Sequence, residues 1–141
     1  MIDRYSTEDM NKIWSEHNKF NNWKIVELAV VKIMTNKGII PKKSCKIIHE
    51  KADFNIERIG EIEKVTRHDV IAFLTNMAEY IGPDSRFVHM GMTSSDLLDT
   101  SLALQCKKAG EVILEKLNKF NDILKDNAIK YKKTFQIGRS H

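Results

Sequence analysis

Proline and glycine are scarce in this sequence, with two prolines and six glycines among 141 residues. That scarcity works against a turn-rich β fold and favours long helices. Cysteine is equally thin. Cys45 and Cys106 lie far apart, no Cys-x-x-Cys pair occurs, and no Cys/His cluster has zinc spacing. A disulfide framework and a structural zinc site are thereby excluded, and two reduced thiols suit a cytoplasmic location. No apolar run approaches the roughly 20 residues that span a bilayer. The opening Met1-Ile2-Asp3-Arg4-Tyr5 also lacks the apolar core of a signal peptide. A soluble protein with no membrane partner is expected.

Charge of one sign does not dominate either. There are 23 basic and 19 acidic residues, a net charge of +4, and the basic side chains are spread among acidic ones. A nucleic-acid surface would show a denser stripe, so the excess lysine reads as solvated surface and no nucleic-acid partner is expected. The hydrophobic content of 42% suits a globular protein, and the length is enough to bury one core.

What is present is helical periodicity. Ser6 followed by Asp9 reads as a helix start. Apolar residues then recur from Met10 to Met34, with a possible break around His17–Asn22, and Asn36-Lys37-Gly38 ends the segment. Pro41 opens a short helix to about Ala52, and Ile56–Val65 forms another. Thr66-Arg67-His68-Asp69 has the pattern of a capping box, with Val70, Phe73, Leu74, Met77 and Ile81 on one face of the helix that follows. Gly82-Pro83 stops it, and a loop carries Arg86 and His89.

A second capping box, Thr93-Ser94-Ser95-Asp96, opens a segment without proline that runs to about Tyr131. Leu98, Leu102, Cys106, Ala109, Ile113, Leu117, Phe120 and Leu124 keep a three-or-four spacing along it. This predicts a continuous helix of some 35 residues, roughly 50 Å long at 1.5 Å per residue. A domain of this size has a radius of gyration of about 14–15 Å. The helix should therefore overhang its own domain, and its stripe should meet helices from elsewhere. The tryptophans, phenylalanines and methionines fall on these stripes and read as core. The fold class is all-α.

Four groups of residues could carry chemistry, each with a plainer alternative. In His89-Met90-Gly91-Met92-Thr93-Ser94-Ser95-Asp96, hydroxyls and amides gather at a helix N-terminus. Free N–H groups and the helix dipole there favour a carboxylate, or the charge that develops on one. The same residues would also serve as a helix cap and nothing more. Arg67-His68-Asp69 could grip a phosphate, or Asp69 could simply cap. Arg4-Tyr5 could set a guanidinium and a phenol against a phosphate or ring, or be an ordinary exposed terminus. Histidine as a residue type titrates near neutrality, so His141 would suit proton transfer, although a lone histidine carries no role unaided.

Taken together, these residues closely resemble the adenylosuccinate lyases of the fumarase/aspartase superfamily. The resemblance rests on Asp3-Arg4-Tyr5-Ser6, on Thr66-Arg67-His68-Asp69-Val70 through Phe73-Leu74, on Val88 through Thr100, and on Gly138-Arg139-Ser140-His141. Their order and spacing cover essentially the whole chain. Argininosuccinate lyases carry a different serine motif. Carboxymuconate cycloisomerases resemble the Thr93 region but typically have glutamine near Ser95 and lack the Arg-His-Asp box.

The resemblance implies a helical N-terminal domain over residues 1–92. Residues 93–141 would then begin a central helical bundle, which in the family is pooled by four subunits into a homotetramer. It implies elimination of fumarate from adenylosuccinate to give AMP, and from the succinyl-carboxamide ribotide of purine synthesis, with no metal or organic cofactor. Carried over by position, Arg4 and Tyr5 contact the nucleotide, chiefly its phosphate, and Arg67, His68 and Asp69 line the same pocket. Thr93 and Ser94 hold the succinyl carboxylate with Ser95 nearby, and His89 is a more peripheral pocket residue. His141 is the general acid, with His68 next in line for that role. The family's catalytic base, a serine on a mobile loop, lies downstream of this sequence, so a chain inactive by itself is expected. The alternatives are another lyase of the superfamily, a carboxymuconate cycloisomerase, or a helical interaction module without catalysis.

Overall fold

A computed structural model describes residues 3–138 of the chain. After a 3-10 turn at Asp3–Tyr5 come α1 (Glu8–Ile13), α2 (Glu16–Asn36), α3 (Lys42–Lys51), α4 (Ile56–Thr66) and α5 (Asp69–Ile81). A 3-10 segment at Gly82–Phe87 then leads to the long helix α6 (Ser94–Tyr131). The described residues contain no strand, as the scarcity of glycine and proline led one to expect.

Local chemistry sets the first boundaries a little away from where the sequence reading put them. Thr7, not Ser6, caps α1, its hydroxyl accepting the Met10 N–H at 3.5 Å. The break falls at Trp14–Ser15, ahead of the expected His17–Asn22. Ser15 caps α2 by accepting the Asn18 N–H at 3.1 Å, while Asn18 Nδ2 donates to the Ile13 carbonyl at 2.7 Å. Two polar side chains thus close one helix and open the next. Pro41 opens α3 as expected, its fixed φ suiting an entry into helix.

The core is an aromatic cluster between α2 and α5. Phe73 stacks on Phe20 at 5.7 Å between centroids and meets Trp23 edge-on at 5.4 Å. Val26, Val31, Ile48, Ile59, Val70, Met77, Ile81 and Leu97 close around it. Thus α5 buries the face that its periodicity assigned to the core, with Leu74 only partly buried. Trp14, by contrast, is 40% exposed, because it sits in the α1–α2 break rather than on a stripe. Arg58 clamps α4 to α5 through Glu79, Nη2 to Oε1 at 2.8 Å, and the guanidinium holds that carboxyl below the usual range.

Helix α6 is one continuous helix of 38 residues, roughly 57 Å long at 1.5 Å per residue. Its first half docks on α2 and α1 through Leu97, Ser101, Gln105 and Ala109, spaced four apart. Gln105 Nε2 donates to the Ile13 carbonyl at 2.9 Å. This docked face shares only Ala109 with the stripe that the apolar spacing selected, while Leu98 of that stripe is partly buried against the core. Leu102 and Cys106, assigned to the stripe, are exposed, because the contact uses small and polar side chains that let two helix backbones approach. Ile113, Leu117, Phe120 and Leu124 are also exposed, so the second half of the helix lies uncovered, as its overhang required.

These packing differences give opposite expectations for two truncations. Phe73→Ala removes a fully buried ring from the cluster and is expected to cost about 3–5 kcal/mol of unfolding free energy. Leu117→Ala, on the uncovered half of α6, should lie within about 0.5 kcal/mol of wild type in the 141-residue chain. Urea unfolding followed by circular dichroism compares the two. A large loss from Leu117→Ala would mean that this half of the helix is already packed.

Candidate active site

The start of α6 is built as an anion-ready helix end. Asp96 closes the capping box by accepting the Thr93 N–H at 2.7 Å. Ser94 and Ser95 occupy the first two helical positions, where backbone N–H groups have no intrahelical acceptor. Gly91 has φ +75°, so the approach to Thr93 needs a residue that tolerates the left-handed region. An apolar groove of about 480 Å³ runs alongside, lined by residues of α2 and by Met92, Asp96, Thr100 and Leu104.

His89 enters this junction under constraint. Its φ is +62°, a left-handed conformation that costs a non-glycine residue about 1–3 kcal/mol. Glu27 of α2 offsets that cost. Its Oε2 accepts the His89 backbone N–H at 2.8 Å, and its Oε1 meets the imidazole Nδ1 at 2.6 Å. Glu27 is wholly buried, and desolvation lifts its carboxyl above the ordinary range, although the contacts with His89 pull the other way. The sequence reading named His89 but missed Glu27. A signal was present: Glu27 lies four residues from both Trp23 and Val31, an acid on an otherwise core-facing stripe.

Arg67, His68 and Asp69 occupy the corner between α4 and α5. Arg67 ends α4 in the left-handed conformation, φ +55°, and borders an open groove of about 630 Å³ with Gly60, Glu63 and Lys64. The capping box expected here does not form. His68, not Thr66, caps α5, its Nδ1 accepting the Ile71 N–H at 3.4 Å. Thr66 Oγ1 instead donates to the His68 carbonyl at 3.2 Å, and Asp69 Oδ1 accepts the neighbouring Val70 N–H at 2.7 Å. The left-handed turn at Arg67 shifts the start of α5 past Thr66, so the cap passes to the first residue with extended backbone. With Nδ1 as acceptor, a neutral His68 ring carries its proton on Nε2.

Arg4 and Tyr5 lie in the first 3-10 turn, with the guanidinium 4.7 Å from the centroid of the Tyr5 ring, and both are exposed. His141 lies outside the described residues. Among the described residues, no hydrogen bond, ion pair or ring contact joins Arg4–Tyr5, the Arg67–Asp69 corner and the His89–Ser95 junction to one another. A ligand that touches all three would have to bridge them.

The profile of a family described as Lyase matches residues 3–141. Over all 141 residues the chain is 43% identical to the adenylosuccinate lyase of Bacillus subtilis and 45% identical to that of Helicobacter pylori. It covers 33% and 32% of those two proteins, so it spans about one third of the length of the curated relatives that it matches. Among solved structures it superposes on a fumarate lyase from Mesorhizobium sp. BNC1 with a TM-score of 0.88 and 19% identity. On the 3-carboxy-cis,cis-muconate lactonizing enzyme of Pseudomonas putida the TM-score is 0.87 at 24% identity. Each likeness covers 96% of this chain and 33% of the other, and at these identities it speaks for the all-α fold alone.

The buried carboxyl has a measurable consequence. The folded state holds the Glu27 proton more tightly than the unfolded chain, whose carboxyl has the ordinary pKa of 4.5. Folding therefore takes up protons between that value and the raised one, and stability falls as pH rises through this interval. Urea midpoints measured upward from pH 4.5 should show the fall in wild type and a shallower one in Glu27→Gln. Identical slopes would remove Glu27 as the titrating group.

Proposed function

This chain belongs to the lyase family, and we propose on that footing that it supplies the N-terminal part of an adenylosuccinate lyase. The observation that carries the reading is the likeness to curated adenylosuccinate lyases over the full chain. The reaction is elimination of fumarate from adenylosuccinate to give AMP, and from succinyl-aminoimidazole carboxamide ribotide to give the free carboxamide. The full-length protein acts as a cytoplasmic homotetramer in purine synthesis. The uncovered apolar half of α6 supports such an assembly, since each copy would bring its stripe to a shared bundle.

The chemistry explains the residue types. Removing a proton next to a carboxylate builds negative charge on that carboxylate. The N–H groups and hydroxyls at Thr93, Ser94 and Ser95 suit that charge, and they require no reorganisation because the helix start is already formed. The departing nitrogen needs a proton, and His141 donates it as general acid. Arg4 and Tyr5 take the phosphate end of the nucleotide, and Arg67, His68 and Asp69 line the remainder of that pocket. The left-handed turn at Arg67 supports a binding role there, because strained backbone concentrates at functional sites. His89 completes the junction below Thr93.

Steady-state kinetics on the full-length protein separates these roles. His141→Ala is expected to lower kcat by about 10²–10⁴-fold with little change in KM, as removal of a general acid should. Arg4→Ala should chiefly raise KM, since the phosphate is remote from the breaking bond. Ser94→Ala should affect both, because its carboxylate contact strengthens as charge accumulates. If His141→Ala altered only KM, the acid role would pass to His68.

A further inference from the structure

Helices α2 and α3 border an open cleft of about 450 Å³ that is lined by none of the residues assigned to the substrate. Lys32 and Thr35 line it from α2, and Lys42, Cys45, Lys46 and His49 line it from α3. The α3 residues recur every three or four positions, so they share one face of that helix. No carboxylate lines the cleft. Lys46 has Glu50 for a partner, at 3.8 Å. Lys32 and Lys42 have neither an ion pair nor a side-chain hydrogen bond among the described residues. The beginning of α3 adds to the imbalance. Pro41 offers no side-chain cap, the first turn holds no acid, and Lys42 and Lys43 occupy its first two positions. Cations at the positive end of a helix dipole repel it, and an anion beside Lys42 would relieve that repulsion. The floor of the cleft is already formed. Thr35 and Cys45 are 9% and 7% exposed. Thr35 Oγ1 donates to the Val31 carbonyl at 2.8 Å, and His49 Nδ1 donates to the Cys45 carbonyl at 2.9 Å.

We propose that the α2–α3 cleft is a binding site for a phosphate-bearing anion, with the phosphate held by Lys32, Lys42 and Lys46. Lysine binds phosphate as a point charge on a flexible stem, so three of them can converge on one group without a fixed fork geometry. A phosphate suits three ammonium groups better than a single carboxylate does, since it carries more charge and more acceptor oxygens. The volume lies within the range of small-molecule pockets, about 300–1,000 Å³. It therefore admits inorganic phosphate or the phosphate of a nucleoside monophosphate, and the two sources are separated by the experiment.

Cys45 reports occupancy from within the cleft. The test is alkylation of Cys45 by iodoacetamide, a neutral reagent, in the full-length protein, followed by mass spectrometry of the Cys45 peptide. With a dissociation constant of about 1 mM, about 10 mM inorganic phosphate should slow labelling roughly tenfold, by the factor 1 + [L]/Kd. The double variant Lys32→Gln/Lys42→Gln removes two charges at exposed positions. It is expected to label as wild type does without phosphate and to lose most of the protection. Sodium chloride at matched ionic strength should protect neither protein. Equal protection by chloride would reduce the effect to charge screening and overturn the site, and so would phosphate protection that persists in the double variant. AMP that protects at lower concentration than phosphate, again only with both lysines present, would identify a nucleotide as the ligand. AMP no better than phosphate would identify the free anion. Should Cys45 fail to react, equilibrium dialysis with radiolabelled phosphate decides. Wild type is expected to hold one more phosphate per chain than the double variant, and equal binding overturns the site. None of these measurements reads lyase turnover, so their failure leaves the lyase reading intact.

Discussion

The packing of Phe73 against Phe20 and Trp23 fixes the relation between α5 and α2, and most of the molecule follows from it. Two large rings from α2 and one from α5 fill the space between the helices, and the loss of that packing would cost more than a polar contact on the surface could offset. With α5 held, the bidentate contact of Arg58 with Glu79 sets α4 beside it. The corner between those helices then has only a short turn in which to reverse, and Arg67 takes the left-handed conformation to make it. The proposed phosphate-side residues owe their place to a hydrophobic contact several turns away.

The same core-facing stripe of α2 reaches the opposite end of the proposed site. Val26 and Glu27 lie on neighbouring positions, one packed in the core and one turned to the loop that leads into α6. The loop cannot move away without stranding a buried carboxylate, and the carboxylate cannot lose its partner without bearing its desolvation alone. A strained residue and a buried acid each cost free energy, and together they hold a histidine beside a helix N-terminus.

Long helix α6 divides into halves that obey different rules. The docked half uses Leu97, Ser101, Gln105 and Ala109, a face of mixed polarity whose hydrogen bonds are satisfied inside the chain. The other half carries leucine, isoleucine and phenylalanine into open space. The first arrangement suits a contact between helices that are always together in one chain. The second has the composition of a core whose remaining walls come from outside the described residues.

Helical periodicity by itself determined that the fold is all-α, that α5 buries Val70, Phe73, Met77 and Ile81, and that an uninterrupted helix runs to Tyr131. Those features depend on residues a few positions apart, which is the range over which sequence pattern carries information. The Thr93–Asp96 capping box was legible for the same reason. Candidate residues were legible by type and by family resemblance, since chemistry needs particular side chains. Tertiary structure alone decided the rest. The cap of α5 passed from Thr66 to His68 because the turn at Arg67 consumed the preceding residues. The docked face of α6 kept Ala109 of the apolar stripe but took Ser101 and Gln105 in place of Leu102 and Cys106, which lie exposed. Glu27 acquired its partner 62 residues away, and no local pattern encodes a contact that exists only after the chain has closed on itself.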